Sequence, residues 1–424
     1  MKRSSAGFTS ALSVALLLLS AVHLLPENTG FSEAKKQEYP EFTEISFSVD
    51  YDLRVSGGRA EEVTIYQSLP YDIPAESGTE KMQEVRSVKC SPDAAGGLPE
   101  PGDVPNQWTF WKLRNITGNL NLGCNISLTS RAHGWDIEGS DTGTPDMIPQ
   151  SYKDAYLEDD WPVLFEELKA ISTGQKGETG DHRYFPSDPG IIGVSREILE
   201  SGDDVLTSAR KAYEWVMENI QKKKADQFAS DLQKYGPYPK NAGACLGDGY
   251  GSGVERALVL GSILRASGIP AWLSFGLGYD GDDPSNQLYG TGWLNVPVPL
   301  RSSDRIEIIE IDMEEENFLF HSPYRYTFWS DDGSFMEQNG ETVHNLKFYH
   351  DYLKYNRTGF VQVNVEYSIS ILEFNEKGSY SMPGDNGENG LPFPGMGAIL
   401  LALSLGALLI GMGRRRIGSL GKGE

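Results

Sequence analysis

The stretch GSGVERALVLGSILRASGIPAW, Gly251 to Trp272, decides the fold. Its apolar residues recur at helical spacing from Val254 to Ser267, and Gly268 and Pro270 stop the run. Ser252 and Glu255 stand at capping-box spacing at its start, so both ends of a helix are written here. Just before it, Gly243-Ala-Cys-Leu-Gly-Asp-Gly-Tyr-Gly-Ser-Gly253 reads as a mobile glycine-rich loop. After it, Ala271 to Leu277, Trp293 to Val298 and Ile306 to Ile311 read as short strands, and Val361 to Ile371 alternates strictly. Upstream, Asp203 to Ile220 reads as a helix with Val205, Leu206, Ala209, Tyr213, Val216, Met217 and Ile220 on one side. A further helix is expected from Trp161 to Ile171. Helices followed by strands indicate an α+β domain, here residues 150–373.

The preceding region has a different period. Ile45, Phe47, Val49, Tyr51, Leu53 and Val55 alternate with polar residues until Gly57-Gly58, which is expected to end that strand. Leu120, Leu122, Cys124, Ile126 and Leu128 alternate with Asn119, Asn121, Asn125 and Ser127. The pattern predicts an antiparallel β-sandwich over residues 40–137. Core packing accounts for Trp108 and Phe110, while with Trp111 they are also candidates to line a groove.

The ends set the compartment. Lys2-Arg3 and the apolar run from Ala11 to Leu25 have the order of a secretory signal, assigned to residues 1–34, with an uncleaved anchor as the alternative. Residues 374–394 have linker composition. Residues 395–413 form an uncharged apolar stretch followed by Arg414-Arg415-Arg416. That length suits one bilayer crossing, and the arginines put the tail, 414–424, on the cytoplasmic side. Pro394-Gly395-Met396 and the arginine cluster resemble archaeal C-terminal sorting signals, in which a lipid replaces the helix. The expected location is therefore the cell surface, with the domains outside. Asn115, Asn125 and Asn356 head glycosylation sequons consistent with that side. Cys90 and Cys124 either pair in an oxidising compartment or stay as buried thiols, and Cys245 is left over. With 60 acidic against 37 basic residues, the net charge of -23 argues against a nucleic-acid partner, whose phosphates need a cationic face.

The central stretch resembles the transglutaminase-like superfamily, in which a catalytic cysteine opens a helix ending Leu-Arg-Ala-x-Gly-Ile-Pro-Ala. Ala257, Leu264-Arg265-Ala266 and Gly268-Ile269-Pro270-Ala271 match that element. Trp215 and Asn219 match the preceding helix. Thr291-Gly292-Trp293 stands where the family has His-Ala-Trp or His-Gly-Trp, and Asp312 where it has its aspartate. The resemblance implies a thiolate activated by a helix N-terminus, a histidine base and an orienting carboxylate. The three positions here hold Gly253, Thr291 and Asp312, so no intact catalytic set is expected. A side chain at position 253 is expected to fit without strain, and Cys245, eight residues upstream, is the alternative nucleophile. Asp280, Asp282, Asp283 and Asn286 have spacings a Ca²⁺ loop uses but no distal glutamate, so no metal or cofactor is expected. The leading expectation is a non-catalytic, membrane-anchored module holding peptide or glycan. The alternatives are a thiol acyltransferase or peptidase using Cys245, and an envelope component with no ligand.

Overall fold

The computed structural model describes residues 39–75, 80–95, 106–137, 139–157, 184–235, 239–281, 287–303, 305–331, 335–338, 341–344, 352–357 and 361–381. In chain order the main elements begin with strands β1 (Phe42–Leu69), β2 (Lys81–Ser91) and β3 (Gln107–Arg131). Helices α1 (Gln150–Tyr156), α2 (Pro189–Ile198), α3 (Val205–Asn219), α4 (Ala225–Tyr235), α5 (Ala242–Asp248) and α6 (Gly253–Ala266) follow. Strands β4 (Trp272–Tyr279), β5 (Leu288–Pro299), β6 (Ile306–Asp312), β7 (Arg325–Ser330), β8 (Tyr352–Arg357) and β9 (Gln362–Lys377) complete the set. The expected Trp161 to Ile171 helix lies outside the described residues. So do residues 1–34, the apolar stretch 395–413 and the tail 414–424. Among the described residues no helix is long and apolar enough to cross a membrane.

The N-terminal region is a six-stranded antiparallel sheet, with β3 on one side of β1 and β8 and β9 on the other. Gly57 and Gly58 do not end β1. The strand turns a corner there, with φ of 78° and 152° at the two glycines, and the register shifts between Val55 and Ala60. β3 turns opposite, through Asn115 at φ 56° and Gly118 at φ 80°. Glycine tolerates this left-handed backbone without the Cβ clash that other residues meet. The two halves close on one core, in which Tyr51 meets Trp111 edge-on at 5.8 Å. The layers of this sandwich are thus one bent sheet. Its last strands come from the far end of the chain: Phe42 pairs with Lys377, and Tyr39 with Tyr380. Residues 362–373, expected in the second domain, and 374–377, expected in the linker, belong instead to this sheet as β9. Alternation reveals a strand but not its partner, which here lies more than three hundred residues away.

The second region packs α6 against a five-stranded sheet ordered Asn317–Phe318, β6, β5, β4, β7. Every residue of α6 from Glu255 to Arg265 is buried, the charged Glu255, Arg256 and Arg265 included, so it is the central helix. α2, α3 and α5 surround it, contributing Ile191, Val205, Ala209, Val216 and Cys245 to the same core. Tyr66, Trp108 and Phe110 form an aromatic cluster against this core, with ring centres 5.5–5.8 Å apart, while Trp111 faces the other way. Strand alternation separates those two faces.

β7 is the open edge of the five-stranded sheet, and side chains of the N-terminal sheet seal it. Gln83 accepts a hydrogen bond from the Thr327 N–H at 2.7 Å and donates to the Thr327 carbonyl at 2.9 Å. Asn106 does the same for Ser330, at 2.7 Å in both directions. The Ser130 hydroxyl donates to the Arg325 carbonyl at 2.9 Å. An edge treated this way offers no ladder to another chain.

Candidate functional site

Both ends of α6 are locked by local chemistry. At its start the Ser252 hydroxyl accepts from the Glu255 N–H at 3.4 Å, and the Glu255 carboxylate accepts from the Ser252 N–H at 2.9 Å. At its end the Ile269 N–H reaches Leu264 O at 3.0 Å and the Gly268 N–H reaches Arg265 O at 2.9 Å, with Gly268 at φ 78°. That is a Schellman termination. The Arg265 guanidinium then bonds Ala271 O at 2.9 Å and lies 3.6 Å over the Tyr184 ring. The Leu-Arg-Ala-x-Gly-Ile-Pro-Ala element therefore specifies how the helix stops.

A buried set of charges braces the helix start. Lys223 pairs with Glu255 at 2.6 Å and with Asp231 at 2.8 Å; Lys240 pairs with Asp248 at 3.1 Å and with Asp231 at 3.3 Å. The Tyr250 hydroxyl donates to Asp231 at 2.9 Å. Buried charges persist only when paired in this way.

Gly253 opens the helix, as the motif places it, and its N–H donates to a Glu314 carboxylate oxygen at 2.9 Å. The other oxygen of Glu314 pairs with Lys222 at 2.6 Å. A Cβ on residue 253 would lie 2.6 Å from Glu314 Cβ and 2.9 Å from its Cα. The expectation that a side chain fits here without strain is therefore wrong. Another carboxylate already occupies the positive end of the helix. Glycine stands at 253 because the turn after β6 has closed onto it.

Thr291 lies buried in β5, opposite Gly276 of β4. Asp312 ends the adjoining β6, one residue beyond the Ile311–Leu294 pair. Its carboxylate is fully engaged: one oxygen accepts from the N–H groups of Glu314 and Glu315 at 2.8 and 3.1 Å, and the other pairs with Arg325 at 3.1 Å. Arg325 also lies 4.6 Å over the Trp293 ring. At the position where the resemblance implies a carboxylate that orients a histidine, the partner here is an arginine. Beside it, burial first and Asp312 second push the Glu315 carboxyl above its ordinary range.

Cys245 is not in a mobile loop. It sits in α5, which Asn241 caps by accepting from the Ala244 N–H at 2.7 Å and which ends at Gly249 in the left-handed region. Its thiol is fully buried, and burial, reinforced by Glu255, pushes its pKa up to about 12. Such a thiol stays protonated and out of reach. Glycines that read as mobility serve here as close contacts: a Cβ at Gly251 would lie 2.6 Å from the Cys245 sulfur.

His321 belongs to another buried network. Its Nδ1 lies 2.8 Å from a Glu310 carboxylate oxygen, and its Nε2 lies 3.4 Å from the Ser130 hydroxyl. The order serine, histidine, carboxylate resembles a hydrolytic triad. However, the Ser130 proton is given to Arg325 O, Arg325 shares the Glu310 carboxylate, and all four residues are buried. The arrangement fastens the two sheets together.

Cys90 and Cys124 stand opposite each other in β2 and β3 and are joined by a disulfide. Asn115 and Asn125 are exposed on β3, and Asn356 lies in β8 opposite Glu62. Of the calcium-like spacing, residues 282–286 lie outside the described residues. Glu314, Lys222 and Arg325 were not singled out from sequence. The acidic run Glu314-Glu315-Glu316 was the available signal, since like charges side by side repel unless cations lie near them.

No protein-family model and no curated protein matches this chain. Among solved structures, a candidate cysteine protease from Cytophaga hutchinsonii is similar over 78% of this chain and 93% of its own, at 10% identity and a TM-score of 0.43. The periplasmic domain of TgpA from Pseudomonas aeruginosa is similar over 64% of this chain and 88% of its own, at 11% identity and a TM-score of 0.26. Likenesses of this size bear no argument about chemistry or substrate.

Proposed function

We propose that this chain is a membrane-anchored module of the outer cell surface that uses a transglutaminase-like body for binding or structure, without thiol catalysis. The observation that carries the reading is the start of α6: Gly253 stands there, Glu314 fills the position of the reacting group, and the one free cysteine among the described residues is sealed in the core. Among the described residues no histidine bonds the Asp312 carboxylate, which serves Arg325 instead. Peptide or glycan is the ligand class that suits an outward-facing body with this ancestry. The apolar stretch at 395–413 and its arginines support the anchor.

Two measurements test this. The full chain is expected to partition with membranes, while residues 39–381, which include the Tyr39–Tyr380 pair, stay in the aqueous phase. Recovery of the full chain from the aqueous phase rejects the anchor. In activity assays the protein is expected neither to hydrolyse peptide amides nor to transfer glutamine acyl groups. An activity that disappears in Cys245→Ala overturns the non-catalytic reading and restores the thiol enzyme.

A further inference from the structure

Among the described residues β1 is the only strand that β9 pairs with, so the far side of β9 is an edge of the N-terminal sheet. Gln362 to Ile371 run in uninterrupted register with Ser56 to Phe47, and the first irregularity is the extra residue Leu372. A regular antiparallel strand with one neighbour turns half of its backbone N–H and C=O groups outward, where they can extend the ladder. The edge at β7 is closed by side chains of Gln83, Asn106 and Ser130. Between Val365 and Ile371, β9 carries no proline and no inward-pointing charge, the usual devices that blunt an edge.

The side chains fit an open edge. Of the four large apolar side chains that are well exposed among the described residues, two lie on β9: Tyr367 at 51% and Leu372 at 57%. Tyr367 rests on the buried Tyr51, with ring centres 5.6 Å apart, at the rim of the sandwich core. Val365, Ile369 and Ile371 pack on the same core and are only partly buried. The apolar face of the sheet therefore runs out to its rim. On the other face Glu366, Ser368 and Ser370 are exposed. The one charge among them is held by Arg54 through two hydrogen bonds of 2.9 Å.

The symmetry of the strand selects what pairs with it. Tyr367 and Ile369 stand one residue to either side of Ser368, and Val365 and Ile371 stand three. A twofold axis through Ser368 sets Tyr367 against Ile369 of a second copy, and Val365 against Ile371. Glu366 then faces Ser370, so no carboxylate meets another across the ladder. Apolar cross-strand pairs stabilise a sheet, and an interface between identical copies needs a surface that matches itself. We propose that β9 is a dimerisation edge: two copies of this chain pair antiparallel through Val365 to Ile371, centred on Ser368, and join their sheets into one. The inference stands on the sheet alone and needs neither the membrane anchor nor the loss of thiol chemistry.

The test uses the full chain in a mild detergent, followed by sedimentation equilibrium over a range of concentrations. The wild type is expected to dimerise. Ser368→Lys sets two ammonium groups opposite each other at the axis. It is expected to weaken the dimer roughly tenfold while leaving the circular dichroism spectrum unchanged. Oxidation reads the register, because side chains directly opposite lie about 5 Å apart, within reach of a disulfide. Ser368→Cys is therefore expected to give a disulfide-linked dimer, and Glu366→Cys and Ser370→Cys to link when mixed but not singly. Cys90 and Cys124 are already joined and Cys245 is buried, so the new thiol alone reports. A wild type that is monomeric at every concentration overturns the proposal and leaves the edge to a strand of a different protein. A dimer that Ser368→Lys does not weaken, or that Ser368→Cys does not link, also overturns it, because the contact then lies elsewhere.

Discussion

Gln83 satisfies both backbone groups of Thr327 with a single side-chain amide, as a neighbouring strand would. Its Nε2 also donates to Tyr71 O at 2.7 Å, so one side chain ties the N-terminal sheet to the edge of the second. Gln83→Leu keeps the volume and removes all three bonds. Each buried group left unpaired costs about 1–3 kcal/mol, so the variant is expected to lose at least about 2 kcal/mol. Urea unfolding followed by circular dichroism measures this, and an unchanged midpoint contradicts the edge-sealing role.

Acid is expected to weaken the junction between the two sheets. Burial pushes the Glu310 carboxyl up, but His321 and Arg325 outweigh it and hold the pKa at about 2. A carboxyl depressed from 4.5 contributes stability above that value and loses it as pH falls toward 2. His133 adds in the same direction. Burial, then His321, hold its pKa below 6.5, so the unfolded chain takes up the proton first and stability falls as pH drops below 6.5. Wild-type stability is therefore expected to decline in two stages on acidification, and Glu310→Gln to flatten the lower one. Parallel pH profiles for the two proteins refute this assignment.

Installing the cysteine and histidine that the resemblance implies is expected to fail. Gly253→Cys with Thr291→His places a side chain against Glu314, whose Cα would lie 2.9 Å from the new Cβ. Overpacking of this kind costs about 1–3 kcal/mol, and the carboxylate beside the sulfur opposes thiolate formation. The alkylation rate of the new thiol against pH gives its pKa. A value well below the ordinary thiol range shows that the turn yields readily and that the clash has been overstated.

The three cysteines are expected to fall into two classes. Cys90 and Cys124 resist alkylation until reduced, whereas Cys245 needs unfolding but no reductant. Reduction releases a loop of 34 residues, worth about 3–4 kcal/mol in the chain-entropy treatment. Mass spectrometry of alkylated protein, with and without denaturant and reductant, separates the classes. Rapid labelling of Cys245 in native protein at neutral pH is incompatible with its burial and with a pKa near 12.

The legible parts of this fold were the local ones. Ser252 with Glu255 and Gly268 with Pro270 delimit α6 to within a residue, because capping and termination are decided by neighbours a few positions away. The alternation of Phe47 to Val55 likewise identified its strand and its buried face. What escaped was whatever depends on distant partners. The strength of the Gly-Ile-Pro-Ala match drew attention to chemistry, whereas its residues serve helix termination. Nothing near Gly253 in the chain announces Glu314, sixty-one residues on. Glycine itself was ambiguous: around Cys245 it reads as mobility, and in the fold it allows backbone and sulfur to approach closely.

The pairing of Phe42 with Lys377 and of Tyr39 with Tyr380 has a mechanical consequence. The outermost described residues of the chain leave from the same end of two neighbouring antiparallel strands. Tension applied between them acts across the ladder and opens its hydrogen bonds one after another, the zipper geometry, rather than shearing many at once. A body of this kind hung from one terminus carries no load through that seam. Pulled by both, it is expected to yield there first, peeling β9 from β1 while the Cys90–Cys124 staple still holds the sheet behind it.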